Sequence, residues 1–141
     1  MNVTKGGNYH FPPKEGFILT HFLTVADVKR SAEFYHRVLG GNVVLKGEPT
    51  IIEIANSWLI LNAGGGPKDD KPTITPYTPQ TSNEASNFMN ICVVDIWSCY
   101  KEWRERGAKF LTEPKENQSE TRCYMRDPDG YIIEVRQSKN S

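Results

Sequence analysis

The sequence predicts an α+β protein made of two tandem β-α-β-β-β modules. The first observation is an internal repeat: LTVADVKRSAEFY at 23–35 and ICVVDIWSCYKEW at 91–103 each read as a strand, an aspartate and an amphipathic helix. The second is that strand-like segments follow both helices. The third is a Gly-, Pro- and Thr-rich stretch at 63–86, which has the composition of a linker between the two copies.

Each predicted helix begins at an aspartate and ends at glycine. Asp27 precedes an amphipathic run that stops at Gly40-Gly41, and Asp95 precedes a second run that stops at Gly107. Aspartate is a preferred N-cap because its side chain accepts a hydrogen bond from a free backbone N–H of the first turn. Glycine favours the C-terminal position because it adopts the left-handed conformation without a steric cost.

Strand patterning after each helix completes the two modules. In the first copy NVVLK at 42–46 and TIIEIANSWLILN at 50–62 predict a strand and a hairpin. In the second copy AKFLTEP and TRCYMR lead to the turn DPDG at 127–130 and the strand YIIEVRQ at 131–137. The predicted organisation is an arm at 1–16, modules at 17–62 and 87–138, and the linker at 63–86.

Strand alternation predicts which side chains line a pocket. With Asn56-Ser57 as the hairpin turn, Ile54 pairs with Leu59, and these aliphatic residues face the helix. The opposite face mixes aromatic and polar side chains, which is typical of ligand pockets. The predicted ligand-binding residues are Thr20, Phe22, Thr24, Glu53, Trp58, Asn62, Phe88 and Asn90.

Composition limits the classes of partner. Lys plus Arg equals Asp plus Glu at 17 each, so no net charge attracts nucleic acid or an anionic membrane. No apolar run reaches the roughly 18 residues of a membrane helix, and the start lacks a signal-peptide core. We therefore expect a cytoplasmic protein whose partner is a small molecule, with its three cysteines reduced.

Glu134 is the candidate catalytic residue. It lies in the middle of an apolar strand, where a carboxylate is costly unless it is paired or bound. One interpretation is an ion pair with Arg122, Arg126 or Arg136, because buried charges are usually paired. A second is a metal ligand. A third is a general base, because burial disfavours the charged form and so favours proton abstraction from carbon.

Two segments carry a family resemblance. With TVADVKRSAEFYHRVLGG at 24–41 and DPDGYIIEV at 127–135, the chain resembles the vicinal oxygen chelate superfamily over residues 17–137. That superfamily includes glyoxalase I, extradiol dioxygenases, fosfomycin-resistance enzymes and bleomycin-resistance proteins. The resemblance implies modules that form a curled, half-open mixed sheet around a small-molecule site, often completed by a second chain, and so a homodimer.

The resemblance also implies where a divalent metal would bind. Glu134 matches a family ligand, whereas Phe88 and a position near Ile60 match ligands that this chain replaces with apolar residues. The first-strand ligand maps to Thr20, one residue from His21. A β-bulge would turn His21 inward and, with Glu53, would give a site of His21, Glu53 and Glu134. The favoured interpretation of His21 is a strand residue that packs on the helix or faces a dimer partner.

Three functional hypotheses follow. The first is a protein of this superfamily that binds a small organic molecule in an aromatic-lined cavity, without the full family metal site. The second is a metal-dependent lyase or dioxygenase of the glyoxalase or extradiol dioxygenase type that uses His21, Glu53 and Glu134. The third is a metal-free isomerase or lyase with Glu134 as its base. The long linker allows the modules to pair within one chain or to swap between two.

Overall fold

The computed structural model describes residues 9–80 and 83–139. The chain divides into two compact units, with the division between Thr78 and Pro79 inside the predicted linker. Each unit contains one helix and one open, mixed sheet in the order β-α-β-β-β. The predicted α+β class and the tandem repeat are confirmed.

The first unit contains a four-stranded sheet in the order β1-β4-β3-β2. Strand β1 is parallel to β4, and the other neighbours are antiparallel. The elements are β1 (His21–Thr24), α1 (Val28–Arg37), β2 (Asn42–Leu45), β3 (Thr50–Ile54) and β4 (Ser57–Asn62).

The second unit repeats this topology. Its sheet has the order β5-β9-β8-β6, with β5 parallel to β9, and a short additional strand, β7, pairs with β8. The elements are β5 (Met89–Cys92), α2 (Ile96–Glu105), β6 (Lys109–Phe110), β7 (Lys115–Glu116), β8 (Glu120–Arg126) and β9 (Ile132–Ser138).

Both predicted helix caps are confirmed. Asp27 Oδ1 accepts from Arg30 N at 3.1 Å at the start of α1. Asp95 accepts from both the backbone N–H and the hydroxyl of Ser98, at 3.2 and 2.8 Å, at the start of α2. These hydrogen bonds, the hydroxyl first, lower the pKa of Asp95 below its usual value, because they stabilise the charged carboxylate.

The helices are short. Each of the two has 10 residues, whereas a helix needs roughly 20 apolar residues to cross a bilayer. Within residues 9–80 and 83–139, no helix is long and apolar enough to span a membrane.

The hairpin between β3 and β4 differs from its predicted register. Its two turn residues are Ala55-Asn56, so Ile54 pairs with Ser57 and not with Leu59. Ala55 has φ of 53°, the positive angle that tight two-residue hairpins require at a central position. The pairing thus moves by two residues. Because side chains alternate with a period of two, every residue keeps its predicted face.

The core of the first unit lies between α1 and the aliphatic face of the sheet. Tyr35 of α1 and Ile52 and Leu61 of the sheet are fully buried. Gly41 follows α1 at the point where the chain meets the sheet. A Cβ atom there would lie 2.6 Å from side-chain atoms of both Ile52 and Ile54. This close approach identifies the Ile52 face as the helix side.

Candidate functional site

The structure places Glu134 at the middle of β9, between residues of both neighbouring strands. Parallel pairing with β5 puts Asn90 beside it, and antiparallel pairing with β8 puts Tyr124 on its other side. Residues directly opposite each other in a sheet share a face, so the three side chains are neighbours. The side chain of Glu134 is largely buried, since the residue is only 9% exposed.

Two neutral groups hold the Glu134 carboxylate. The side-chain amide of Asn90 donates to Oε1, and the Tyr124 hydroxyl donates to Oε2 at 3.0 Å. A buried carboxylate needs such donors because they replace the water that it loses. The strand neighbours of Glu134 therefore stabilise it without supplying a positive charge.

Glu134 does not form the predicted ion pair with Arg122, Arg126 or Arg136. Arg122 Nη1 lies 3.0 Å from Glu120 Oε2, and Arg136 Nε lies 2.7 Å from Glu120 Oε1. Arg126 Nη1 donates instead to the Gly130 carbonyl at 3.4 Å. Glu120 lies on the same face of the sheet as Arg122 and Arg136. It is opposite Ser138, at the end of the β8–β9 hairpin that lies away from the turn, and it pairs with both arginines.

Tyr124 is a functional candidate that the sequence analysis missed. Burial, followed by the hydrogen bond to Glu134, raises the pKa of its hydroxyl, so the phenol stays protonated and remains a donor at neutral pH. Its ring contacts Phe88 edge-on, with centroids 5.7 Å apart and an interplanar angle of 88°. Counting across the DPDG hairpin from Glu134 would have found it.

Cys92 extends the hydrogen-bond chain. Its thiol donates to Asn90 Oδ1 at 3.2 Å, so the Asn90 side chain is fixed at both its oxygen and its nitrogen. We call Phe88, Asn90, Cys92, Tyr124 and Glu134 the Glu134 cluster. Hydrogen bonds at both ends orient the amide, and a fixed amide keeps its donor on the carboxylate.

The Glu134 cluster is open to solvent at its rim. Phe88 is 44% exposed, and Asn90 is also exposed. The opposite face of β9 carries Ile133 and Val135, which are buried. The sheet of the second unit therefore has one core face and one accessible face, with a largely buried carboxylate and two aromatic rings on the accessible side.

The predicted ligand-binding residues of the first unit share one face. Phe22 pairs with Ile60, Thr24 with Asn62, and Glu53 with Trp58. These pairs lie on the side of the sheet away from Ile52 and Leu61, as the alternation predicted. Thr20 precedes β1 and is partly exposed.

Other segments of the same unit already occupy part of that face. The ring of Phe11, in the N-terminal arm, lies 6.0 Å from that of Trp58, which is 3% exposed. Asn62 Oδ1 accepts from Gly64 N at 2.9 Å, and a Cβ on Gly64 would meet the buried Thr24 at 2.9 Å. Trp58, Asn62 and Thr24 thus make contacts within the unit that the sequence did not predict.

The donor set proposed for a metal does not fit the first unit. His21 pairs with Leu59, whereas Glu53 pairs with the adjacent Trp58, so the two side chains lie on opposite faces. The pairing of β1 with β4 is continuous from His21 to Thr24, and the bulge needed to turn His21 inward is not there. In the described part of the chain, no three His, Cys, Asp or Glu side chains are grouped to hold a metal ion.

A groove of about 730 Å³ lies elsewhere in the first unit, between α1 and the β2–β3 segment. Its apolar lining includes Val28, Ala32 and Val43. Two basic and two acidic side chains and one histidine also line it: Lys29, Lys46, Glu33, Glu48 and His36. None of the predicted ligand-binding residues lines it. Its mixed charge favours no particular class of ligand.

Two β-α-β-β-β units, each with a mixed sheet, and a carboxylate in the final strand define a protein of the vicinal oxygen chelate class. The chain belongs to the Glyoxalase/Bleomycin resistance protein/Dioxygenase superfamily, whose family profile matches residues 18–135. The resemblance found in the sequence is therefore confirmed at the level of the superfamily.

The chain is similar to a named relative and to several proteins of solved structure. A probable lactoylglutathione lyase of Synechocystis sp. is 26% identical over 132 residues, covering 88% of this chain and 97% of that protein. An integron cassette protein from the mobile metagenome of V. cholerae is 26% identical with a TM-score of 0.62, covering 87% and 96%. A glyoxalase/bleomycin resistance protein/dioxygenase from Nocardioides is 18% identical with a TM-score of 0.69, covering 90% and 87%, and shows the fold alone.

Proposed function

We propose that the protein binds a small organic molecule against the Glu134 cluster and that binding requires no divalent metal. One observation carries the proposal. Asn90 and Tyr124 hold the two oxygens of Glu134, so two neutral donors stabilise the residue that matches the family metal ligand. The exposed rim of Phe88 and Asn90 gives a ligand access to this carboxylate.

The chemistry of the remaining family positions supports the metal-free proposal. A divalent metal needs three or four donors that converge from different strands. Phe88 and Ile60 occupy positions where the resemblance implies ligands, and their side chains have no donor atom. His21 and Glu53 lie on opposite faces of one sheet and do not converge on one ion.

A second candidate function rests on the name of the Synechocystis relative, a probable lactoylglutathione lyase. In that alternative Glu134 would be one ligand of a metal ion, with one of its oxygens released by Asn90 or Tyr124, and the ion would supply polarisation of a substrate carbonyl. It needs further ligands beyond the set proposed from the sequence. The catalytic role of Glu134, the homodimer and the cytoplasmic location stay predictions.

Binding of a neutral aromatic probe tests the proposed function. We expect benzyl alcohol to shift the NMR resonances of the Asn90 side-chain amide in the presence of EDTA, because the ring packs on Phe88 while the hydroxyl reaches Glu134. Adding zinc or manganese ions in place of EDTA should leave the affinity unchanged. The amide of Asn87, which is exposed and donates to the hydroxyl of the neighbouring Ser86, serves as the internal control. Binding that requires the metal, or equal shifts at Asn87, would contradict the proposal.

A further inference from the structure

We propose that the ligand of the Glu134 cluster is an organic cation, a protonated amine carried on a flat or apolar body. The inference rests on the proposed function, because it assumes that a small molecule binds to this face. It adds the chemical class of that molecule. Three features support it: the unmatched charge of Glu134, arginines that are engaged elsewhere, and two aromatic rings, of which that of Phe88 is exposed.

The charge of Glu134 has no basic partner within residues 9–80 and 83–139. Both of its hydrogen-bond donors are neutral, and an ionised carboxylate has about four acceptor positions, of which these donors use two. A largely buried charge that lacks an opposite charge is costly. A ligand ammonium group would occupy the free acceptor positions and offset that cost, whereas a carboxylate ligand would add repulsion.

The nearby arginines do not supply the missing charge. Arg136 lies two residues along β9 from Glu134, a separation of roughly 6–7 Å at the strand rise, and Arg122 lies opposite Arg136. Both contact Glu120, at 3.0 Å from Arg122 Nη1 and 2.7 Å from Arg136 Nε, and the Glu120 side chain is 12% exposed. Arg126 lies on the same face, two residues from Tyr124 along β8, and its guanidinium donates to the Gly130 carbonyl. The ionisable groups around Glu134 on this face are thus Cys92, Tyr124, Arg126 and the Glu120 group.

The aromatic side chains favour the same kind of ligand. Tyr124 commits its hydroxyl to Glu134, which leaves its ring and the half-exposed ring of Phe88 as the apolar contacts of the cluster. Aromatic faces attract organic cations by cation–π interaction and also bind an apolar ring. An ammonium group on an aromatic body therefore matches the carboxylate and the rings together.

Three probes that differ in charge test the inference. Benzylamine, benzyl alcohol and phenylacetate share a benzyl group and are cationic, neutral and anionic at neutral pH. Following the Asn90 side-chain amide by NMR, we expect benzylamine to bind about tenfold more tightly than benzyl alcohol, because both groups donate to the carboxylate but only the ammonium group carries the opposite charge. Phenylacetate should bind more weakly than the alcohol.

Two charge-neutralising variants assign the preference to one residue. Glu134→Gln should abolish the preference for benzylamine over benzyl alcohol, with the fold checked by thermal denaturation. Glu116→Gln is the matched control, because it removes one charge from an exposed pair with Lys139 in the same unit. This control should keep the preference.

Each outcome separates the inference from the proposed function. If benzyl alcohol binds as tightly as benzylamine, the inference is overturned while the proposed function stands. If Glu116→Gln loses the preference as fully as Glu134→Gln, the effect comes from overall charge and the assignment to Glu134 fails. If none of the three probes shifts the Asn90 amide, both proposals fail together.

Discussion

Replacing Asn90 with aspartate is expected to destabilise the second unit by about 2 kcal/mol at neutral pH. The substitution keeps the size of the side chain and replaces the amide that donates to Glu134 with a second carboxylate. Two carboxylates in contact repel each other when both are charged. Because Glu134 is largely buried, water screens this repulsion poorly, although the exposed outer side of Asn90 limits the loss.

The loss of stability in Asn90→Asp should depend on pH in a defined direction. One of the two carboxyl groups can take up a proton in the folded protein more readily than in the unfolded chain. Protonation then restores a donor between them, so the stability of the variant relative to the natural protein should recover as pH falls and decline again as pH rises. Urea denaturation at several pH values measures both trends.

Asn87→Asp provides the matched control for this prediction. Asn87 is exposed, and its side-chain amide donates to the hydroxyl of Ser86. The same change of charge there should alter the free energy of unfolding by less than about 0.5 kcal/mol. Equal losses in the two variants, or a loss in Asn90→Asp that does not vary with pH, would show that Asn90 does not stabilise the Glu134 carboxylate.

Gly41→Ala is expected to lower the free energy of unfolding by about 1–3 kcal/mol, the range for an added methyl group in a filled core. The new Cβ would lie 2.6 Å from Ile52 Cγ2 and from Ile54 Cγ1. Ile52 is fully buried, so its side chain has no free space into which to move. Either the end of α1 or the sheet must shift. Thermal and urea denaturation of the variant measure the cost.

Gly66→Ala separates this clash from a general effect of removing glycine. A Cβ at Gly66 would meet no atom within 4 Å, so the substitution should change stability little. It reduces the freedom of the unfolded chain in the same way as Gly41→Ala does. If the two variants are equally stable, α1 does not meet the sheet at Gly41 as described.

The local features of the fold were predictable because each depends on a few adjacent residues. The aspartate caps follow from the side-chain chemistry at Asp27 and Asp95. The turn between β3 and β4 was harder to predict, because asparagine and serine are commoner in turns than alanine, yet Ala55 is the residue that adopts positive φ. The faces of β3 and β4 were still predicted correctly, since the register moved by an even number of residues.

The contacts of Glu134 depend on pairing between distant segments. Asn90 reaches Glu134 through the parallel pairing of β5 with β9, and no local pattern fixes the register of strands joined by a long crossover. The hairpin that brings Tyr124 to Glu134 has a short turn, so counting residues across it would have predicted this pair. The packing of Phe11 on Trp58 depends on an arm whose sequence has no regular pattern.

If neutral donors hold Glu134 and it binds a ligand without a metal, the purified protein should retain no divalent ion. Elemental analysis of the purified protein, repeated after incubation with zinc, nickel, manganese or iron ions and removal of the excess, tests it most directly. We expect far less than one divalent ion per chain, with no difference between the natural protein and Glu134→Gln. One tightly bound ion per chain that is lost in Glu134→Gln would contradict it.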